Sequence, residues 1–141
     1  MKAIDYLEDP GTPLSSGELE AYEKENDLVL DESVKRLLGR VNGGGWNYTI
    51  VSFRTHGLFV EIKGLCCALR GNLWDIASCI ASARDGRSET ITWTPFAHTV
   101  GGDYFVALDG EIFLWDHETD ELQLVESDLS RFLDSLFIDS I

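Results

Sequence analysis

YFVALDGEIFLW, residues 104–115, consists of two apolar runs on either side of the dipeptide Asp109-Gly110. Asp-Gly suits a two-residue type I′ turn, because both central residues of that turn take a positive φ. The segment therefore predicts a β-hairpin, with strands over 104–108 and 111–116. In this register the facing pairs are Tyr104 with Trp115, Val106 with Phe113 and Leu108 with Glu111 on one face, and Phe105 with Leu114 and Ala107 with Ile112 on the other.

Both faces of the predicted hairpin are apolar near the strand ends. An antiparallel sheet with one solvated face normally alternates apolar and polar residues, and this segment does not. Either helices cover both faces, or one face is a contact surface for a partner.

Helices are predicted upstream of the hairpin. Ser15 and Glu18 have the spacing of a capping box, which starts a helix that ends near Asn26, with Leu19 and Tyr22 on one face. Asp31 is the expected N-cap of a second helix, which ends at the glycine run 42–45. Residues 1–13, with the turn residues of 9–13, are expected to be an extended or loosely ordered lead-in. The buried stripe of the second helix is predicted to be Val34, Leu37, Leu38 and Val41.

The remaining segments complete the predicted order of elements. Strands are expected over 46–53, 58–62, 90–93 and 122–125, with a turn at 55–57 and a loop at 84–89. A third helix is expected over 73–83, with its apolar side drawn from Leu73, Trp74, Ala77, Ile80, Ala81 and Ala83. A terminal helix is expected to bury Leu129, Phe132, Leu133, Leu136 and Phe137.

This order predicts one α+β domain, a central and mostly antiparallel sheet flanked by helices. The lead-in is assigned to residues 1–13 and the domain to residues 14–141. A chain of 141 residues with 44% hydrophobic and 11% aromatic residues has enough apolar material for one core.

The net charge is the unusual feature of the composition. Twenty-five acidic residues against eleven basic ones give a formal charge of −14. Ten acids and one base lie in 109–141, and ten acids and four bases lie in 1–38. Such a field disfavours nucleic acid and anionic membranes as partners and attracts cationic ones, although acidic surfaces also serve solubility alone.

The cysteines and the apolar segments indicate the cellular compartment of the protein. Three cysteines, two of them adjacent, do not form a disulfide framework, and reduced thiols are the simpler interpretation. The first residues turn acidic at once without an apolar signal segment, and no run of eighteen apolar residues occurs. We therefore expect a cytoplasmic protein.

The sequence contains no complete motif for catalysis, metal binding or cofactor binding. The glycines at 43–45 are not followed by the Lys-Ser/Thr of a phosphate loop. Asp116, Glu118 and Asp120 alternate as in an EF-hand, but Glu121 stands where that loop needs glycine. No two of the histidines and cysteines have a metal-ligand spacing, although a contact in space between His98 and a cysteine stays open. We expect no catalytic residue, metal or cofactor.

The capped helix over 15–23 precedes a second helix that ends in Asn-Gly-Gly at 42–44. Pro-Phe-Ala at 95–97, Gly-Gly-Asp-Tyr-Phe at 101–105, Asp-His-Glu at 116–118 and Phe-Leu at 132–133 follow in order. Together these spaced motifs resemble the SUKH superfamily, which includes the yeast cell-wall-synthesis regulators of the Smi/Knr type and many bacterial immunity proteins. The similarity covers residues 14 to 137. One departure is Leu30-Asp31, where the superfamily has Leu-Pro, and Asp also starts helices well.

The resemblance implies an α+β fold without catalysis. It implies that a short bacterial member is an immunity protein, which binds and blocks the toxic domain of a polymorphic toxin, often a nuclease or deaminase with a basic surface. The alternative is a regulatory or scaffold module related to the cell-wall regulators.

Candidate partner-binding residues follow from the charge and the hairpin. An acidic surface suits a cationic toxin, because it steers association and mimics phosphate. Solvation of the acids and core packing of the aromatic residues are the competing interpretations. The candidates are the acids Asp116, Glu118, Asp120 and Glu121, with Tyr104 and Trp115 as aromatic anchors.

Overall fold

The computed structural model describes residues 2–55, 57–85 and 91–140, which form a single-domain α+β fold. A 3-10 helix, Ala3–Tyr6, precedes the other elements. The α-helices are α1 (Ser16–Asn26), α2 (Glu32–Leu38), α3 (Ile76–Arg84) and α4 (Leu129–Asp134). The strands are β1 (Gly44–Gly45), β2 (Thr49–Thr55), β3 (Leu58–Leu65), β4 (Thr94–Thr99), β5 (Tyr104–Leu108), β6 (Glu111–Trp115), β7 (Leu122–Glu126) and β8 (Phe137–Ser140).

The strands form one antiparallel sheet in the order β7-β6-β5-β4-β3-β2-β8, with β1 paired to β3. The predicted hairpin, β5 with β6, is confirmed in every pair, from Tyr104 opposite Trp115 to Leu108 opposite Glu111. Asp109 and Gly110 have φ of 51° and 82°, as the type I′ turn requires.

Helices cover both faces of the hairpin, which decides between the two explanations of its apolar faces. Phe105 lies on one face and contacts Phe132 of α4, with ring centroids 4.7 Å apart. Tyr104 lies on the opposite face, next to Cys79 of α3. The apolar residues of both hairpin faces are therefore largely core residues.

The two helix starts are confirmed. Ser15 Oγ accepts a hydrogen bond from the Glu18 amide and Glu18 accepts one from the Ser15 amide, so the capping box is complete. Asp31 caps α2 through the Ser33 amide. However, α2 ends at Leu38, before the glycine run, so Val41 packs partly buried outside the helix.

The N-terminal segment is more ordered than the sequence predicted. Ala3 is buried and its carbonyl accepts a 2.9 Å hydrogen bond from Trp46 Nε1. Glu8 pairs with Gly45, and Gly11 pairs with Asn42. These partners lie more than thirty residues away, so local turn chemistry could not reveal them.

The middle of the chain departs from prediction in two places. α3 begins at Ile76 and buries Ile76, Cys79, Ile80 and Ala83, whereas Leu73 and Ala81 are exposed. The strand expected at 90–93 lies instead at 94–99 and includes Pro95. Pro95 is tolerated because the register shifts beside it and the described pairing with β3 begins only at Ala97. The strand predicted over 46–53 is β2, which begins at Thr49. The predicted loop at 84–89 lies partly outside the described residues, and so does His56 of the predicted turn.

The C-terminus is a strand where a longer helix was predicted. α4 ends at Asp134, and Phe137 opens β8, where it pairs with Ser52 of β2. The helical spacing of Phe137 was therefore misleading, because pairing with the open edge of β2 outweighs one more helical turn.

Candidate functional site

The acidic turn, residues 116–121, connects β6 to β7. The Asp116 amide donates to the Glu121 carbonyl at 3.0 Å, and the Asp120 amide donates to the Asp116 carbonyl at 2.8 Å. Asp116 Oδ1 accepts a hydrogen bond from the Glu118 amide at 2.8 Å. Asp120 has φ of 60°, a conformation that Asp and Asn tolerate better than most residues. The turn is therefore a closed, hydrogen-bonded structure.

The four acidic candidates divide into two pairs. Asp120 Oδ1 accepts a 2.7 Å hydrogen bond from Trp115 Nε1, and Asp116 holds the turn amides. Glu118 and Glu121 are exposed, and the Glu118 side chain is 80% accessible. Asp116 and Asp120 thus shape the turn, while Glu118 and Glu121 present charge to solvent.

The two aromatic candidates lie together beneath the turn and are buried. Tyr104 and Trp115 are 8% and 3% exposed, and their rings stack with centroids 5.5 Å apart. They line a hollow of about 310 Å³ together with Gly102 and His117. Their rings are thus walls of a hollow and do not project from the surface as anchors.

His117 adds a titrating group to the acidic turn. Its Nδ1 lies 2.6 Å from Asp103 Oδ1, which also accepts the His117 amide at 3.0 Å. This hydrogen bond to Asp103 raises the pKa of His117, and the nearby negative charges raise it further. A larger fraction of His117 is therefore protonated near neutral pH, which offsets part of the negative charge of the turn.

One group with metal-ligand character occurs among residues 2–55, 57–85 and 91–140. Single ligand atoms of Asp103, Asp116 and His117 lie within 4.8 Å of one another. The Asp103 and Asp116 carboxylates already accept main-chain hydrogen bonds, and exposed acids commonly lie this close without a metal. The expectation of no metal stays a prediction.

In the described part of the chain, no cysteine thiol forms a hydrogen bond with His98, so no pair of nucleophile and base is present there. Cys66, Cys67 and Cys79 are buried, and burial raises the pKa of Cys67 to about 11. His98 stacks on Trp74 with ring centroids 3.7 Å apart, and its Nδ1 has no hydrogen-bond partner among the residues that the structure describes. Burial, with the charge of Lys63, lowers the pKa of His98 to about 4. His56 lies outside the described residues.

Comparison with known proteins identifies a family. No curated protein and no solved structure matches the chain. None of the helices in the described residues has the length and apolar character that a membrane crossing requires. A model of the SMI1 / KNR4 family (SUKH-1) matches residues 13–135, most of the chain. This protein belongs to the SMI1 / KNR4 family (SUKH-1).

Proposed function

We propose that this protein is a non-enzymatic bacterial immunity protein, which binds a cationic toxin domain in the cytoplasm and blocks it. Proteins of this family generally act by binding other proteins, and the family match is the single observation that carries the proposal. The net charge of −14 supports a partner with a basic substrate-binding surface, such as a nuclease or a deaminase.

The acidic turn is the proposed contact surface. Glu118 and Glu121 are exposed on a turn that hydrogen bonds hold in one shape, so the main chain of the turn loses little ordering entropy on binding. Asp116 and Asp120 contribute charge and maintain the turn. Tyr104 and Trp115 are proposed to receive a partner side chain in the hollow that they line.

Co-expression with a toxin domain encoded by a neighbouring gene tests the proposal. We expect cells to survive only when the intact protein is present, and the two chains to elute together from a sizing column. Toxicity that is unaffected by the protein, without a complex, would contradict the immunity function and favour the regulatory or scaffold alternative.

A further inference from the structure

A second concave surface, the helix groove, lies between α2 and α4. It has a volume of about 1070 Å³, slightly above the range of roughly 300–1,000 Å³ for sites that bury a small ligand. The Asp109-Gly110 turn closes one end, because Gly110 donates its amide to Asp31 Oδ2 at the start of α2. The 3-10 helix closes the other end, where Lys2 pairs with Asp134 at 3.0 Å.

The floor of the helix groove is apolar. Leu30, Leu37 and Leu129 are at most 5% exposed, and Ile4 and Leu133 are partly buried beside them. Val29 lies on the rim and is 87% exposed. Such a floor favours an apolar side chain of a partner, since burial stabilises by about 25 cal/mol for each Å² removed from water.

The acidic residues that line the helix groove are mostly engaged within the protein. Asp134 pairs with Lys2, Glu32 pairs with Lys35 at 3.2 Å, and Asp128 caps α4 through the Arg131 amide at 2.8 Å. Asp31 accepts hydrogen bonds from Ser33 and Gly110. These carboxylates therefore have less capacity to bind a basic partner.

The arginines of the helix groove, unlike its carboxylates, have no partner among the described residues. Arg36 and Arg40 line the groove, are exposed, and form no ion pair or side-chain hydrogen bond with the residues that the structure describes. Arg36 lies on α2 and Arg40 lies two residues beyond the end of this helix, and both line the same groove. A guanidinium group binds a carboxylate through two parallel hydrogen bonds, which makes acidic side chains its natural partners.

We propose that the helix groove binds a short segment of a protein partner in which an apolar side chain lies next to an acidic residue. The apolar side chain rests on the leucine floor, and the carboxylate pairs with Arg36 and Arg40. This inference is independent of the immunity function and of the acidic turn. The overall charge of the protein repels acidic peptides, so their selection requires a local contact of this kind.

Selection from a phage library of random dodecapeptides on the immobilised full-length protein tests the inference. We expect enrichment of peptides with Asp or Glu beside a large apolar residue. Binding of the enriched peptides, measured by fluorescence anisotropy, should weaken about tenfold or more in R36Q/R40Q, because two charge-assisted hydrogen bonds are lost. R36K/R40K should retain part of the affinity.

R70Q/R84Q is the matched control, since Arg70 and Arg84 are exposed, form no ion pair with the described residues and lie outside the helix groove. It should bind the selected peptides as the unmodified protein does. Enrichment of basic peptides alone, no enrichment, or equal binding to R36Q/R40Q would each overturn the inference. Because the selection needs no toxin, its failure is distinguishable from failure of the immunity function.

Discussion

The acidic turn and the helix groove lie at opposite ends of β6, and they use charge differently. At the acidic turn, Asp116 and Asp120 hold the main chain while Glu118 and Glu121 remain exposed. At the helix groove most of the carboxylates are engaged, whereas Arg36 and Arg40 have no ion-pair or side-chain hydrogen-bond partner among the described residues. Net charge alone therefore does not distinguish the two surfaces. Exposed charges that the fold does not bind tightly, such as Glu118 with its 4.0 Å contact to His117, are the ones that we expect to recognise another molecule.

The largest expected loss of stability is that of Asp31→Ala, a substitution at the helix groove. Asp31 accepts hydrogen bonds from the Ser33 amide, the Ser33 hydroxyl and the Gly110 amide, and so joins α2 to the hairpin turn. We expect the free energy of unfolding to fall by about 3 kcal/mol, measured by urea denaturation. Glu32→Ala, at the exposed neighbouring position, should cost less than about 0.5 kcal/mol. Equal losses in the two variants would show that Asp31 does not join these elements.

Lowering the pH is expected to destabilise the protein through His98, which lies in the interior of the sheet. The pKa of His98 is lowered to about 4, so below pH 6.5 the unfolded chain binds a proton that the folded chain does not. Stability from this group is therefore present above pH 6.5 and is lost as pH falls towards 4. Between pH 7 and pH 5 we expect His98 to account for about 2 kcal/mol of lost unfolding free energy.

The control for acidification is His98→Gln, which does not titrate in this range. Its urea-unfolding free energy should fall less than that of the unmodified protein between the same two pH values. Parallel losses in the two proteins would contradict the lowered pKa of His98.

Asp120→Ala, a substitution in the acidic turn, should cause a smaller loss of stability. The substitution removes the acceptor for Trp115 Nε1 and places alanine at a φ of 60°. We expect a loss of about 1.5 kcal/mol in unfolding free energy and a change in Trp fluorescence. Asp120→Asn keeps an acceptor oxygen and tolerates this φ, so it should retain most of the stability. An equally large loss in Asp120→Asn would mean that the carboxylate charge, not the hydrogen bond, matters there.

The smallest expected effect concerns the charge state of the turn. Asp103→Asn removes the carboxylate that raises the pKa of His117. NMR titration should show the pKa of His117 returning towards its ordinary value, with little change in stability because the ring is exposed. An unchanged titration would exclude Asp103 as the main cause.

The elements that could be predicted from sequence are those fixed by neighbouring residues. Asp109-Gly110 sets its own turn, and Ser15 with Glu18 sets the start of α1. The order of Ala3 and the strand at Phe137 were missed because their partners, Trp46 and Ser52, are distant in sequence. Local patterns do not contain this information.

The candidate sites were predictable only in part, for a related reason. The acids of the turn are visible as a cluster, but hydrogen bonds in the folded chain decide which of them remain free. Tyr104 and Trp115 were ambiguous, because an apolar strand face is equally suited to a core and to a contact surface. The helix groove is assembled from residues 2–4, 29–40, 108–110 and 127–134, so no single stretch indicates it.

We propose that the exposed acids of the turn contact a cationic toxin domain. The most direct test measures the association rate between this protein and the proposed toxin domain as a function of salt, by stopped flow, for E118Q/E121Q and for E20Q/E25Q. Glu20 and Glu25 are exposed on α1, so the two variants change the net charge equally. We expect E118Q/E121Q to associate several-fold more slowly at low salt and with a flatter salt dependence than the control. Identical rates and salt dependences in the two variants would contradict the claim.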